Sequence, residues 1–186
     1  MIVVIDGNIG SGKSTQVEKL KDTYSIHREP LHKWGNLLKW FYDEPKRWAM
    51  TFQMRVIKCF NEVTDDSSDI LIVERYPESS RCVFWKVICD DGTVTQEEQD
   101  IYSDYYKTFQ PDVLIYLRCP PEKCHERFQK RGQPGDNQIT LDYMTKLHDL
   151  YEEMYKKKTS AHILDGTLAP EILHKHIKDI IDNNKK

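Results

Sequence analysis

Eight residues near the start of the chain, Gly7-Asn8-Ile9-Gly10-Ser11-Gly12-Lys13-Ser14, have the types and spacing needed to grip a polyphosphate. Their glycines let the backbone turn tightly with its amides inward, and the positive end of a following helix favours anions. Lys13 is placed for the β- and γ-phosphates, the Ser14 hydroxyl for Mg²⁺, and Thr15 opens the helix beside them. A chance glycine-rich turn is the bland alternative. Against it stands the context that the motif demands, an apolar run Ile2-Val3-Val4-Ile5 before the loop and a helical pattern after it. ATP with Mg²⁺ is therefore the expected cofactor pair.

A phosphate loop names a donor and leaves the acceptor open. GTPase chemistry lacks its N-K-x-D signature here. Glu29 precedes Pro30, which biases it to an extended conformation where a second strand ends, at the sheet edge that binds ligands in such folds. A carboxylate there can take the proton of an attacking hydroxyl; a surface ion pair is the other use for it. Glu74-Arg75 closes the apolar strand Ile70-Leu71-Ile72-Val73, a poor choice for packing alone and a good one for a site. Arg127 and Arg131 stand four apart just before Gly132-Gln133-Pro134-Gly135-Asp136, which suits a phosphate-clamping lid over about 127–138; a solvated helix paired with Glu122 and Glu126 would look similar.

A pocket for the acceptor is suggested by two helix faces. Trp34, Leu38 and Tyr42 recur at helical spacing, and so do Gln53, Val56 and Phe60. Both faces can be plain core. Gln53, however, interrupts an apolar face, and a buried amide needs partners that a base edge supplies, such as the N3-H and O4 of thymine.

The elements that must position these residues follow from periodicity. Short apolar runs alternate with helical stretches, which predicts a parallel sheet covered by helices. Strands are expected at about 2–5, 24–28, 70–74, 113–117 and 161–165, and helices at about 13–22, 33–42, 46–64, 78–89, 95–109, 120–131, 140–157 and 170–182. The expected architecture is an α/β fold of the phosphate-loop NTPase type, five parallel strands flanked by helices on both faces, with a short lid. At 186 residues, the chain suits a single domain over 1–186.

A net charge of −3 gives no electrostatic case for polymeric nucleic acid or a membrane. The longest apolar runs are far too short to span a bilayer, and with a strand starting at residue 2 no signal or transit peptide is expected. Five cysteines without CxxC pairing argue for reduced thiols and a cytoplasmic setting.

Several motifs taken together resemble the deoxynucleoside kinase family: the loop, Glu29-Pro30-x-x-x-Trp34, the run Lys46-Arg47-Trp48-Ala49-Met50-Thr51-Phe52-Gln53, Glu74-Arg75-Tyr76, and the lid segment from Arg127. The resemblance runs from residue 2 to about 165. It implies 5′-phosphorylation of a deoxynucleoside by ATP, with Glu29 as base, Arg75 beside it on the same hydroxyl and the transferring phosphoryl group, and Glu74 supporting the metal. It also implies that Gln53 pairs with the base, that Trp34 and Phe84 pack around it, and that Tyr42 contacts the 3′-hydroxyl. Family members that take deoxycytidine and purines well carry an arginine matching Phe60 and an aspartate matching Ser80. This chain has neither, so thymidine and other pyrimidine deoxynucleosides are the expected acceptors. Its lid also departs from the family, with Gln133 where an arginine is usual and only Asp136 left of an acidic pair that reaches the 3′-hydroxyl. A homodimer, control by an end-product triphosphate, and a compact viral version acting in the host cytoplasm are further implications. The Glu74-Arg75-Tyr76 run with Ser79-Ser80 also resembles thymidylate kinases, so a nucleoside monophosphate kinase is the rival reading, and a non-catalytic nucleotide-binding protein a third.

Overall fold

The alternating apolar runs form one five-stranded, all-parallel sheet in the computed structural model, which describes residues 1–63, 70–131 and 139–185. Its strands are β1 (Ile2–Gly7), β2 (Ser25–His27), β3 (Leu71–Glu74), β4 (Val113–Arg118) and β5 (His162–Asp165), in the spatial order β2-β3-β1-β4-β5. Register sets the site. Ile5 pairs with Glu74 on one side, and Gly7 with Leu117 on the other. The carboxyl ends of β1, β3 and β4 therefore finish together, where α/β sheets bind ligands.

Because side chains alternate along a strand, Val3 and Ile5 face one way, and Val4 and Asp6 the other. On the first face, α1 (Lys13–Leu20) and α10 (Pro170–Asn183) bury Val17, Leu20, Leu173, Ile177 and Ile181 against Val3, Ile5, Ile72 and Ile115. Each such side chain stabilises the fold by about 1.5–3 kcal/mol when fully buried. On the second face lies α9 (Leu141–Lys156), whose Tyr155 ring stacks 4.1 Å from that of Tyr116 on β4. Helix α8 (Pro121–Arg131) follows β4.

The chain packs as two compact units. One comprises Met1–Glu29, Asp65–Arg75 and Gln110–Lys186, and holds the sheet. The other comprises Pro30–Thr64 and Tyr76–Phe109 and is helical: α2 (Leu31–Trp34), α3 (Leu37–Asp43), α4 (Pro45–Asn61), α5 (Pro77–Ser79), a π-helical stretch Ser80–Trp85, α6 (Lys86–Asp90) and α7 (Gln96–Tyr105). Its core is aromatic. Trp34 meets Phe52 edge-on at 5.2 Å, and Trp85 stacks on Tyr102 at 4.0 Å.

Three helices differ from expectation. The helix expected at 33–42 breaks between Trp34 and Leu37, because Gly35 adopts φ 56° and ψ −130°, a conformation open to glycine and closed to a helix. Trp34 thus does not share a continuous helix face with Leu38 and Tyr42. The helix expected at 78–89 contains the π-helical stretch over Ser80–Trp85, a local winding that hydrophobic spacing does not encode. The helix expected to reach 109 leaves helical backbone at Tyr106, where β-branched Thr108 and the residue before Pro111 disfavour continuation.

Candidate active site

Position Gly7 ends β1 with φ 147°, and Gly10 turns the loop with φ 77°. A Cβ on Gly10 would sit 2.5 Å from the Cys124 carbonyl oxygen of α8, so the loop can pass only as glycine. The buried Asn8 anchors it from the other side, its Nδ2 donating to the Met144 carbonyl on α9 at 2.9 Å. That side chain is committed to holding the loop. Lys13, the first residue of α1, is buried and donates from Nζ to the Asn8 carbonyl at 2.7 Å. Burial, and then the neighbouring Arg75 charge, lower its pKa from 10.5 to about 8.

Beside the loop opens a cleft of about 310 Å³. It is lined by the loop and helix start from Gly10 to Thr15, by Arg127 and Arg131, and by the apolar Leu168, Pro170 and Leu173. Arg127 is fixed by a 2.7 Å hydrogen bond to the Gly166 carbonyl, and Arg131 lies over the Phe128 ring at 4.7 Å. Two cations and the loop that precedes a helix N-terminus, lining one cleft, suit a polyphosphate, and the apolar portion suits a purine ring. Leu168, Pro170 and Leu173, which no motif marks, join Gly166 in lining this cleft.

Ser14, in the first turn of α1, meets Glu74 at the end of β3, its Oγ donating to Oε1 at 2.5 Å. A hydroxyl and a carboxylate so close are a hard-oxygen pair, the donor chemistry that Mg²⁺ takes while keeping waters and phosphate oxygens as its other ligands. The residues fit that ion.

Arg75 follows Glu74 and is the one described non-glycine residue with positive φ, at 64°. Such a conformation costs on the order of 1–3 kcal/mol and persists where the surroundings enforce it. They do so here. Its backbone N–H donates to Ile5 at 3.0 Å, its Nε to Glu29 Oε1 at 2.9 Å, and its Nη1 to Gly7 O at 3.4 Å and to the Tyr151 hydroxyl at 2.5 Å. Burial works against its charge, but Glu29 above all holds the guanidinium protonated, raising its pKa above the ordinary value. Glu29 thus forms an ion pair, but with an arginine that also touches the phosphate loop. Asp6, fully buried, accepts from Gly7 N, Tyr151 and Tyr155 at 2.8, 3.3 and 2.7 Å, and burial raises its pKa despite the opposing Arg75 charge. Sequence reasoning missed Asp6, Tyr151 and Tyr155. An acid ending an apolar strand was the available signal for the first, and tyrosines four apart on α9 for the others.

The helical unit holds Trp34, Tyr42, Gln53, Val56, Phe60, Ser80 and Phe84. Gln53, Val56, Phe60, Ser80 and Trp34 are buried, whereas Tyr42 and Phe84 are half-buried. Gln53 is 3% exposed, and its Oε1 has no hydrogen-bond partner among the described residues. An acceptor left so is costly unless a ligand meets it. Ser80 belongs to the π-helical stretch, a winding frequent at functional sites. Asp136 lies outside the described residues, as does the rest of the expected lid beyond Arg131.

A parallel sheet with a phosphate loop after β1, a basic clamp facing it and a Glu-Arg pair beside it defines a nucleotide-dependent phosphotransferase. Residues 3–186 match the deoxynucleoside kinase family, and the chain belongs to that family. It is 33% identical over 177 residues to a protein named as a kinase in Invertebrate iridescent virus 3, covering 92% of this chain and 91% of the relative. Another relative, named as a deoxycytidine kinase in Fowlpox virus, is 33% identical with 81% and 70% covered. Deoxycytidine kinase 2 of Gallus gallus is 31% identical, with 98% and 84% covered.

Proposed function

We propose that this kinase transfers the γ-phosphoryl group of ATP to the 5′-hydroxyl of a pyrimidine deoxynucleoside, thymidine first. The observation that carries this reading is Arg75, which joins Glu29 at 2.9 Å and reaches Gly7 at the start of the phosphate loop. Glu29 takes the hydroxyl proton as the new P–O bond forms and the bond to the β,γ-bridging oxygen breaks, leaving ADP. Lys13, Arg75, Arg127 and Arg131 balance charge on the phosphoryl oxygens. Mg²⁺, supported by Ser14 and Glu74, supplies further neutralisation of the polyphosphate when bound.

For the acceptor base, Gln53 supplies a carboxamide whose oxygen lacks a partner, matching the N3-H of thymine. An amide can flip to suit cytosine, so Gln53 does not choose between pyrimidines. In this reading Phe60 and Ser80 do: both are buried, and an uncharged pair there would leave room for the thymine methyl. Trp34 and Phe84 pack around the base, Val56 flanks it, and Tyr42 and Asp136 serve the sugar 3′-hydroxyl in this reading. In this reading residues 1–186 act as one kinase domain in the cytoplasm, that of the host if the chain is viral, as a homodimer.

The direct test measures 5′-monophosphate formation from each of four deoxynucleosides, and from thymidine 5′-monophosphate, with ATP and Mg²⁺. Thymidine should lead the panel, and Glu29→Gln should lower kcat by roughly 10²–10⁴-fold. Near-normal turnover in that variant removes Glu29 from its role, and preference for the monophosphate replaces the acceptor.

A further inference from the structure

We infer that Tyr151, on α9, is a positioning residue for phosphoryl transfer, acting through Arg75; this rests on the reading of Arg75 as a contact to the transferring group. The Tyr151 hydroxyl accepts from Arg75 Nη1 at 2.5 Å while donating to Asp6 Oδ1 at 3.3 Å. A phenol in this arrangement has its proton directed to one neighbour and its lone pair to the other. The same Asp6 oxygen accepts from the Gly7 amide at 2.8 Å. One buried carboxylate therefore fixes the first residue of the phosphate loop and, through Tyr151, the guanidinium of Arg75.

That guanidinium needs such help. Glu29 accepts from its Nε at 2.9 Å, and its Nη1 contact to Gly7 is long, at 3.4 Å. Arg75 also sits on strained backbone with φ 64°, so its direction is imposed by contacts instead of a preferred local conformation. Tyr151 is fully buried and stacked 5.8 Å from Tyr116, and thus has little freedom of its own. Rigid support of this kind sets the reacting geometry, where small misplacements cost rate.

A tyrosine that merely satisfied a buried aspartate would affect stability alone. The two roles separate with Tyr151→Phe, which keeps the ring and removes the hydroxyl. We expect kcat to fall on the order of tenfold, with the KM values for ATP and nucleoside within about twofold. Tyr116→Phe is the control: its hydroxyl bonds Glu152 at 2.9 Å, in the same aromatic stack. It should leave kcat unchanged. In an Arg75→Lys background, Tyr151→Phe should add almost no further loss, since residues acting as a unit are non-additive. An unchanged kcat in Tyr151→Phe, or an equal loss with Arg75 already replaced, overturns the proposal. Independently of activity, NMR of the arginine side chains, with Arg75 assigned by its loss in Arg75→Lys, should show slow rotation about its Nε–Cζ bond in the wild type and faster rotation in Tyr151→Phe. Free rotation in the wild type overturns the proposal even if the variant does not fold. Normal turnover in Arg75→Lys alone instead overturns the reading of Arg75, and is told apart because the NMR result still reports whether Tyr151 holds it.

Discussion

Lys13 is the residue whose chemistry depends most on where the fold puts it. Burial and the Arg75 charge bring its pKa to about 8, against 10.5 in the unfolded chain. Between those values the empty folded protein binds fewer protons than the unfolded one, so this group makes stability rise with pH across that window. Bound phosphates reverse the shift by favouring the ammonium form. ATP binding at pH 8 should therefore take up about half a proton, visible by calorimetry as a dependence of the binding enthalpy on the buffer's ionisation enthalpy. The dependence should vanish in Lys13→Met. A buffer-independent enthalpy in the wild type would show Lys13 fully charged before ATP arrives. Glu29 was legible from its proline neighbour, but its bond to Arg75 was not, because 46 residues separate the two and only the sheet register joins them.

At the scale of elements, α4 and the π-helical stretch carry the positions proposed to set base choice. Phe60 closes one face of α4 at 5% exposure, and Ser80 opens the stretch at 3%. A single charge introduced at either point would be buried, at a cost of several kcal/mol if unpaired, so the test changes both together. Phe60→Arg with Ser80→Asp should move the ratio of kcat/KM for deoxycytidine over thymidine upward by at least roughly tenfold. A thymidine preference left intact by the double substitution would take specificity away from this pair. The strands and long helices were legible from their apolar periods. The break at Gly35 and the π winding were not, since glycine permits a kink without requiring one and a π turn leaves the hydrophobic spacing nearly unchanged.

Considered whole, the molecule leaves Trp40, Ile101 and Tyr105 of the helical unit substantially exposed, at 41%, 45% and 60%. In the proposed homodimer, a second copy would cover side chains of this kind. Sedimentation equilibrium at micromolar concentration should give twice the chain mass, and Trp40→Lys with Tyr105→Lys should shift it toward the monomer. A monomer in the wild type at that concentration would end the homodimer reading. No described helix is long and apolar enough to cross a membrane.

By itself, the sequence determined the phosphate donor site and the layered α/β plan, because both are written in short-range spacing: glycines, a lysine and a serine within eight residues, and apolar runs of strand length. Tertiary structure alone decided what surrounds that loop. Asp6, Tyr151 and Arg75 lie far apart in the chain, and their hydrogen bonds exist only because parallel strands end in register beneath one helix. Local patterns report which way a side chain points; which partner it meets is set by the packing of distant elements.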